Sequence, residues 1–133
     1  LPEYVPVDSD AYLLKYPLVL LTPNLGNRIH SQFGNLEVIR ENSEKPALLL
    51  SPTDAGKRNI SNGSRIRLYN DLGEIITTAR ISERIPEGTV VLHNGIWLSE
   101  GGGGNILING RMTDMGYGAA FHDNRVEAEV AEL

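Results

Sequence analysis

The sequence predicts a mainly β fold, a small barrel or sandwich with one or two short helices. Gly 14 and Pro 7 in 133 residues are more turn formers than a helical bundle tolerates. Apolar runs are strand-sized, as at residues 18–21 and 47–51, and none approaches the length of a membrane span. Residues 64–69 and 125–130 alternate apolar and polar side chains, the period of a half-buried strand. The length suits one domain. A composition 41% hydrophobic and 22% charged is that of a folded chain.

Taken in order, residues 1–15 hold two prolines and three acids without steady periodicity, and read as a linker or edge segment. The domain proper is expected over 16–133. Leu18 to Leu21, flanked by Pro17 and Pro23, reads as a buried strand. Residues 23–44 form a long polar stretch, of a length that is usually functional or partly helical, with 36–40 able to supply a helical turn. A second buried strand is expected at 47–51. Pro52-Thr53-Asp54-Ala55 then reads as a helix start capped by Thr53 or Asp54, and Asn62-Gly63 closes that helix. In the strand at 64–69, Ile66 and Leu68 share one face and Arg65 and Arg67 the other. Asn70-Asp71-Leu72-Gly73 predicts a turn with Gly73 at positive φ, returning through a strand at 74–81. A turn at Pro86-Glu87-Gly88 leads to a strand at 89–92. A final strand puts Val126, Ala128 and Val130 inward. About six strands result, without an internal repeat.

The charge balance, 12 Lys+Arg against 17 Asp+Glu, gives −5 and excludes a domain whose main task is to hold a nucleic-acid backbone. Without cysteine there is no disulfide scaffold, thiolate metal site or cysteine nucleophile, and cysteine usage leaves the compartment undecided. His30, His93 and His122 are far apart and lack metal-ligand spacing; a lone histidine ordinarily has a structural or surface role. Gly101-Gly102-Gly103-Gly104 fits no phosphate-loop pattern, so by itself it reads as a flexible loop. Residues 22–35 are more informative. Arg28, His30, Ser31, Gln32 and Asn35 supply directional donors suited to a polar heterocycle or a phosphate, or else simply form a solvated loop.

Several blocks occur in a specific order: Tyr16-Pro17-Leu18-Val19-Leu20-Leu21-Thr22, Arg28-Ile29-His30-Ser31-Gln32-Phe33-Gly34-Asn35, Pro52-Thr53-Asp54-Ala55, Asn62-Gly63-Ser64-Arg65-Ile66-Arg67-Leu68 with Gly73, Ile85-Pro86-Glu87-Gly88-Thr89-Val90, Gly95-Ile96-Trp97, Asn105-Ile106-Leu107, Thr113-Asp114 and Val126-Glu127-Ala128. Together they resemble the C-terminal molybdopterin-dinucleotide-binding domain of the dimethyl sulfoxide reductase family of molybdenum and tungsten oxidoreductases, which includes formate dehydrogenase-like anaerobic dehydrogenases. The resemblance spans about residues 16–130.

That resemblance implies a double-psi β-barrel closing over bis(molybdopterin guanine dinucleotide). By position, Thr22, Arg28, His30, Ser31 and Gln32 match the family's first cofactor-contact loop, and Asn105 opens the second, with Tyr117 and His122 further along. A bare glycine loop before Asn105 would let backbone approach the cofactor. Neutral amides, hydroxyls and one Arg suit a ligand rich in ring nitrogens, oxygens and phosphates. The family's metal ligand and iron–sulfur cysteines lie in earlier domains, so this chain is expected to bind but not to catalyse alone. Partners implied are iron–sulfur electron-transfer subunits and the other domains of the same catalytic subunit, with no nucleic acid and no membrane insertion. The start at Leu1 suggests a piece of something longer. Two other readings stand beside this one: a separate barrel subunit, like that of formylmethanofuran dehydrogenases, and a cofactor-free double-psi barrel used for protein interaction. The last predicts that the polar residues scatter over the surface.

Overall fold

A computed structural model describes residues 3–132. Its centre is a closed barrel of six strands: β1 (Leu18–Leu21), β2 (Leu48–Leu50), β3 (Arg65–Asn70), β4 (Gly73–Ile81), β5 (Thr89–Leu92) and β6 (Asn124–Val130). Around the barrel the order is β1-β5-β2-β4-β3-β6. β1 runs parallel to β5 and β2 parallel to β4, while the other four neighbour pairs are antiparallel. This is the double-psi β-barrel that the resemblance implies. Each strand is paired on both edges, so closure leaves no ladder open to solvent.

Alternation fixes the register. Leu18, Leu20, Leu48, Leu50, Ile66, Leu68, Val90, Leu92 and Val126 are at most 2% exposed and fill the lumen. Each such aliphatic side chain contributes about 1.5–3 kcal/mol relative to exposure. The last strand departs from its own pattern: Val126 and Ala128 face inward, but Val130 is 45% exposed, because β6 runs past β1 and its end meets only Ile66 of β3.

Three short helices decorate the barrel among the described residues: α1 (Asp10–Lys15), α2 (Glu37–Glu41) and α3 (Pro52–Lys57). The first has no periodic signature. It forms because Ser9 accepts a hydrogen bond from the Tyr12 N–H, with Asp10 and Lys15 at the ends that the helix dipole favours. Tyr16, which follows, is buried edge-on to Tyr69 and donates to Asp71, which also pairs with Lys15. For α3 the cap is Ser51, one residue before Pro52, and not Thr53 or Asp54: its Oγ accepts from the Asp54 N–H at 3.0 Å. Proline at the first helical position leaves the residue before it as the natural cap. The Asp54 carboxylate is buried, accepting from Ser51 Oγ and from the Gly88 N–H, and it pairs with Arg58. Arg58 also holds Glu127, so one cluster pins α3, the 86–88 turn and β6 together.

Gly73 is also explained differently from expectation. Its φ is not positive, and the two-residue turn between β3 and β4 has no positive φ at Asp71 or Leu72. A Cβ at Gly73 would lie 2.5 Å from Ile106 Cγ2. Close packing of the 104–107 turn selects glycine there.

Strand directions decide where the connections emerge. β1 and β5 are parallel, so both point their C-terminal ends at one rim. β6 starts at that rim (Leu20↔Asn124), as does β2 (Leu48↔Leu92). The two long connections, 22–47 and 93–123, therefore leave the same end of the barrel. The α3 segment and the 82–88 turn occupy the opposite end.

Urea unfolding checks this division. Leu20→Ala should lower stability by about 2–5 kcal/mol through loss of burial plus a lumen cavity. Ser51→Ala should cost only about 1–2 kcal/mol, the worth of a lost cap. Equal costs would contradict a core located in the lumen.

Candidate functional site

The two long loops are joined by directional bonds at the rim. Asn94, just past β5, donates from Nδ2 to the Thr22 carbonyl at 2.9 Å, and its N–H donates to Pro23 O at 3.0 Å. Trp97 Nε1–H donates to Ser31 O at 2.7 Å. Arg28 forms an ion pair with Glu100 at 2.9 Å, its side chain only 5% exposed. Gly95 (φ +76°) sits beneath the His30 carbonyl, where a Cβ would lie 2.2 Å from the oxygen. The glycine run is likewise an ordered feature. Gly101 and Gly103 have positive φ, and a Cβ on Gly102 would strike the Ile96 carbonyl at 2.1 Å. Backbone packing, and not flexibility, selects it.

Between the loops lies a cleft of about 240 Å³. Thr22 and Ser31 line it from the first loop, His93, Asn94 and Gly95 from the end of β5, and Gly103, Gly104 and Asn105 from the turn after the glycine run. Leu98 and Ile106 form its apolar wall. His93 Nδ1 and Asn94 Oδ1 are shielded from water and have no hydrogen-bond partner among the described residues. An orphaned buried polar atom ordinarily costs about 1–3 kcal/mol. Both belong to residues that line the cleft, which leaves unmet polar capacity at its wall. Ligand sites usually run to roughly 300–1,000 Å³, so this cleft would grip one portion of a large ligand. Sequence motifs do not point to His93 or Asn94 as binding residues. The signal that could find them is positional: they follow β5 as Thr22 and Pro23 follow β1, its parallel neighbour.

The structure thus brings Thr22, Ser31 and Asn105 into one cleft. Arg28 is nearby but engaged, its guanidinium spent on Glu100 and on Ser43. His30 (φ +51°) and Gln32 are exposed at the apex of the first loop, where the Gln32 N–H donates to Ile29 O in a tight turn. Tyr117 (φ +51°) is 77% exposed in the second loop. His122 lines a different cleft, of about 280 Å³, with Tyr4, Val7, Asp8, Val19 and Arg125. Among the described residues no three His, Asp or Glu side chains converge as metal ligands.

The Arg28 guanidinium, hydrogen-bonded to Glu100, holds that carboxyl below its ordinary range; burial opposes this, and the Trp97 N–H adds to the lowering. A depressed acid contributes stability above its unfolded pKa and loses it as pH falls through the folded one. Amide protection in residues 23–35, taken relative to the intrinsic exchange rate at each pH, should therefore stay constant across neutral pH and fall on acidification below the ordinary glutamate pKa. Glu100→Gln should show the reduced protection already at neutral pH. Wild-type protection that is unchanged into strong acid would contradict the pin.

Known proteins show the family to which this barrel is similar. A family profile described as "Molydopterin dinucleotide binding domain" matches residues 18–125. The chain is 32% identical over 139 residues to dimethyl sulfoxide reductase DmsA of Escherichia coli, covering 97% of this chain and 17% of that protein. It is 33% identical over 132 residues to the probable oxidoreductase YoaE of Bacillus subtilis, covering 97% and 19%. Against dimethyl sulfoxide reductase DmsA of Haemophilus influenzae it is 34% identical over 128 residues, covering 91% and 16%. The chain thus spans less than a fifth of the length of these curated relatives. In structure it resembles acetylene hydratase from Pelobacter acetylenicus with a TM-score of 0.80 at 18% identity, over 98% of this chain and 21% of that one, a likeness of fold. Both long loops and five of the six strands fall within the matched segment, which ends at the start of β6, and the chain belongs to the molydopterin dinucleotide binding domain family of dimethyl sulfoxide reductase-type oxidoreductases.

Proposed function

We propose that this chain is the cofactor-binding barrel of the catalytic subunit of a molybdopterin oxidoreductase, and that its loop rim closes over bis(molybdopterin guanine dinucleotide). The observation that carries the reading is the pair of orphaned atoms, His93 Nδ1 and Asn94 Oδ1, in the cleft between the two loops. A pterin or guanine edge presents adjacent donors and acceptors, which is what such a pair lacks. The Thr22 and Ser31 hydroxyls and the Asn105 amide extend the same neutral set of donors and acceptors along the cleft.

In this reading the chain binds and orients. The pterin-held molybdenum or tungsten supplies the redox chemistry when bound, and the chain, without cysteine, offers it no thiolate. Thr22, Ser31, His93, Asn94 and Asn105 hold the enclosed portion of the ligand. Arg28 acts through Glu100 to fix the loop that carries Ser31. His30, Gln32 and Tyr117, exposed on the same loops, would meet the portion outside the cleft, and His122 would have to reach it from the neighbouring one. Residues 16–133 are the binding barrel, and 1–15 the segment that ties it to neighbouring parts of the same subunit.

Further protein is the expected cover for the rim. Phe33, Leu98, Met112, Met115, Tyr117 and Phe121 are each more than half exposed there. Apolar side chains concentrated on loops in this way mark a surface that another protein layer buries. Other domains of a longer catalytic subunit, with iron–sulfur subunits beyond them, fit that description.

Amide chemical-shift mapping tests the proposal. The chain titrated with molybdopterin guanine dinucleotide should show weak binding, with shifts concentrated in residues 22–35 and 93–107. Thr22→Ala and Asn105→Ala should each weaken binding about 5- to 10-fold, the worth of one hydrogen bond. Shifts confined to residues 4–8 and 122–125, or unchanged affinity in both variants, would overturn it.

A further inference from the structure

The sequence contains three Asn-Gly dipeptides, Asn62-Gly63, Asn94-Gly95 and Asn109-Gly110. In such a pair the glycine amide nitrogen can attack the asparagine Cγ, since no β-carbon on the glycine hinders ring closure. Whether it does depends on two restraints: a hydrogen bond that holds the asparagine amide, and one that occupies the glycine N–H. The fold distributes these restraints unequally.

Asn62 has both. Its Oδ1 accepts from the Ile81 N–H at 2.8 Å, and the Gly63 N–H donates to Ala79 O at 2.8 Å. Asn94 has its leaving nitrogen held, with Nδ2 donating to Thr22 O at 2.9 Å. Gly95 is in addition pressed against the His30 carbonyl. Asn109 has neither. No hydrogen bond of its side-chain amide or of the Gly110 N–H occurs among the described residues. Gly110 is exposed, and a Cβ built on it would meet nothing within 4 Å, so the chain has room to pucker into a five-membered ring.

We propose that Asn109 is a site of spontaneous covalent modification, the point at which the folded protein ages. The Gly110 amide nitrogen gives its proton to solvent base and bonds to Asn109 Cγ. The Cγ–Nδ2 bond breaks, ammonia leaves, and a succinimide remains. Water then opens the ring at either carbonyl, giving aspartate or isoaspartate with no oxidant or reductant involved. The position makes the product consequential. The Asn109 N–H donates to Asn124 Oδ1 at 2.8 Å, and Asn124 Nδ2 donates to Phe121 O at 2.7 Å, so residue 109 joins the turn bearing Asn105 to the start of β6. Isoaspartate lengthens the main chain by one methylene at this joint. Either product adds a negative charge to a chain already at −5. That the change would also weaken an anionic ligand rests on the proposed function; the modification itself does not.

The test is a time course of the intact chain kept warm at mildly alkaline pH, with trypsin digestion and fragmentation that separates positions 94 and 109 within the peptide 85–111. A parallel sample is held unfolded in urea. In the folded chain Asn109 should convert about tenfold faster than Asn62 or Asn94, as one intact hydrogen bond would dictate, and in urea the three should converge. Gly110→Ala should suppress conversion at 109 while leaving the unfolding midpoint in place. Equal folded-state rates at the three sites, or conversion at Asn109 that is slower than at Asn62, would overturn the proposal. Cofactor affinity plays no part in this readout, so a failed binding proposal and a failed modification proposal remain distinguishable.

Discussion

The parallel pairing of β1 with β5 is the constraint on which the rest depends. Val19, Leu20 and Leu21 lie beside Thr89, Val90 and Val91, so two strands far apart in sequence end at one rim. Parallel neighbours cannot be joined by a tight hairpin, and the chain between them must cross the barrel. Here it crosses through β2, β3 and β4, and each crossing strand is buried on its lumen face. Closure then removes any freedom to separate the two ends. Thr22 and His93 are neighbours because Leu20 and Val90 are core residues.

The loops on that rim are held by a few specific contacts, and each has a physical reason to be selective. The Asn94 amide bridges to the first loop through a main-chain oxygen, which tolerates change at Thr22 but not at Asn94. Arg28 and Glu100 form a nearly buried pair, in which removal of either partner leaves an uncompensated charge. Gly95 permits the His30 carbonyl to rest on its backbone. Together they produce a cleft lined by two of the three residues whose buried side-chain polar atoms lack a partner among the described residues, the third being Thr77 in β4. Sites for ligands have that character, since the bonds missing in the protein are those the ligand completes.

Much of the fold is legible from patterning. Alternation at Ile66 and Leu68, and again at Val126 and Ala128, locates strands whose inner faces the structure confirms. Where such reading fails, tertiary context overrides local rules. The α1 helix has no periodic apolar stripe because it packs through Tyr16 and the Asp71 contacts and not through a buried face. Val130 continues an alternating pattern beyond the point where the barrel can cover it. Gly73 carries a turn signature yet serves a close approach by Ile106, which no local motif encodes.

The candidate site residues divide along the same line. Thr22, Ser31 and Asn105 are identifiable by family position, but the local sequence cannot reveal that Arg28 is committed to Glu100, seventy-two residues away. Nor can it show that His93, one of three unremarkable histidines, has a ring nitrogen buried without a partner among the described residues. The most direct measurement is a crystal structure of the chain soaked with molybdopterin guanine dinucleotide. Density for a pterin or guanine ring against His93, Asn94 and Thr22, bounded by Asn105, is the predicted result. Density only in the cleft of Tyr4, Asp8 and His122, with the rim cleft holding solvent, would contradict it.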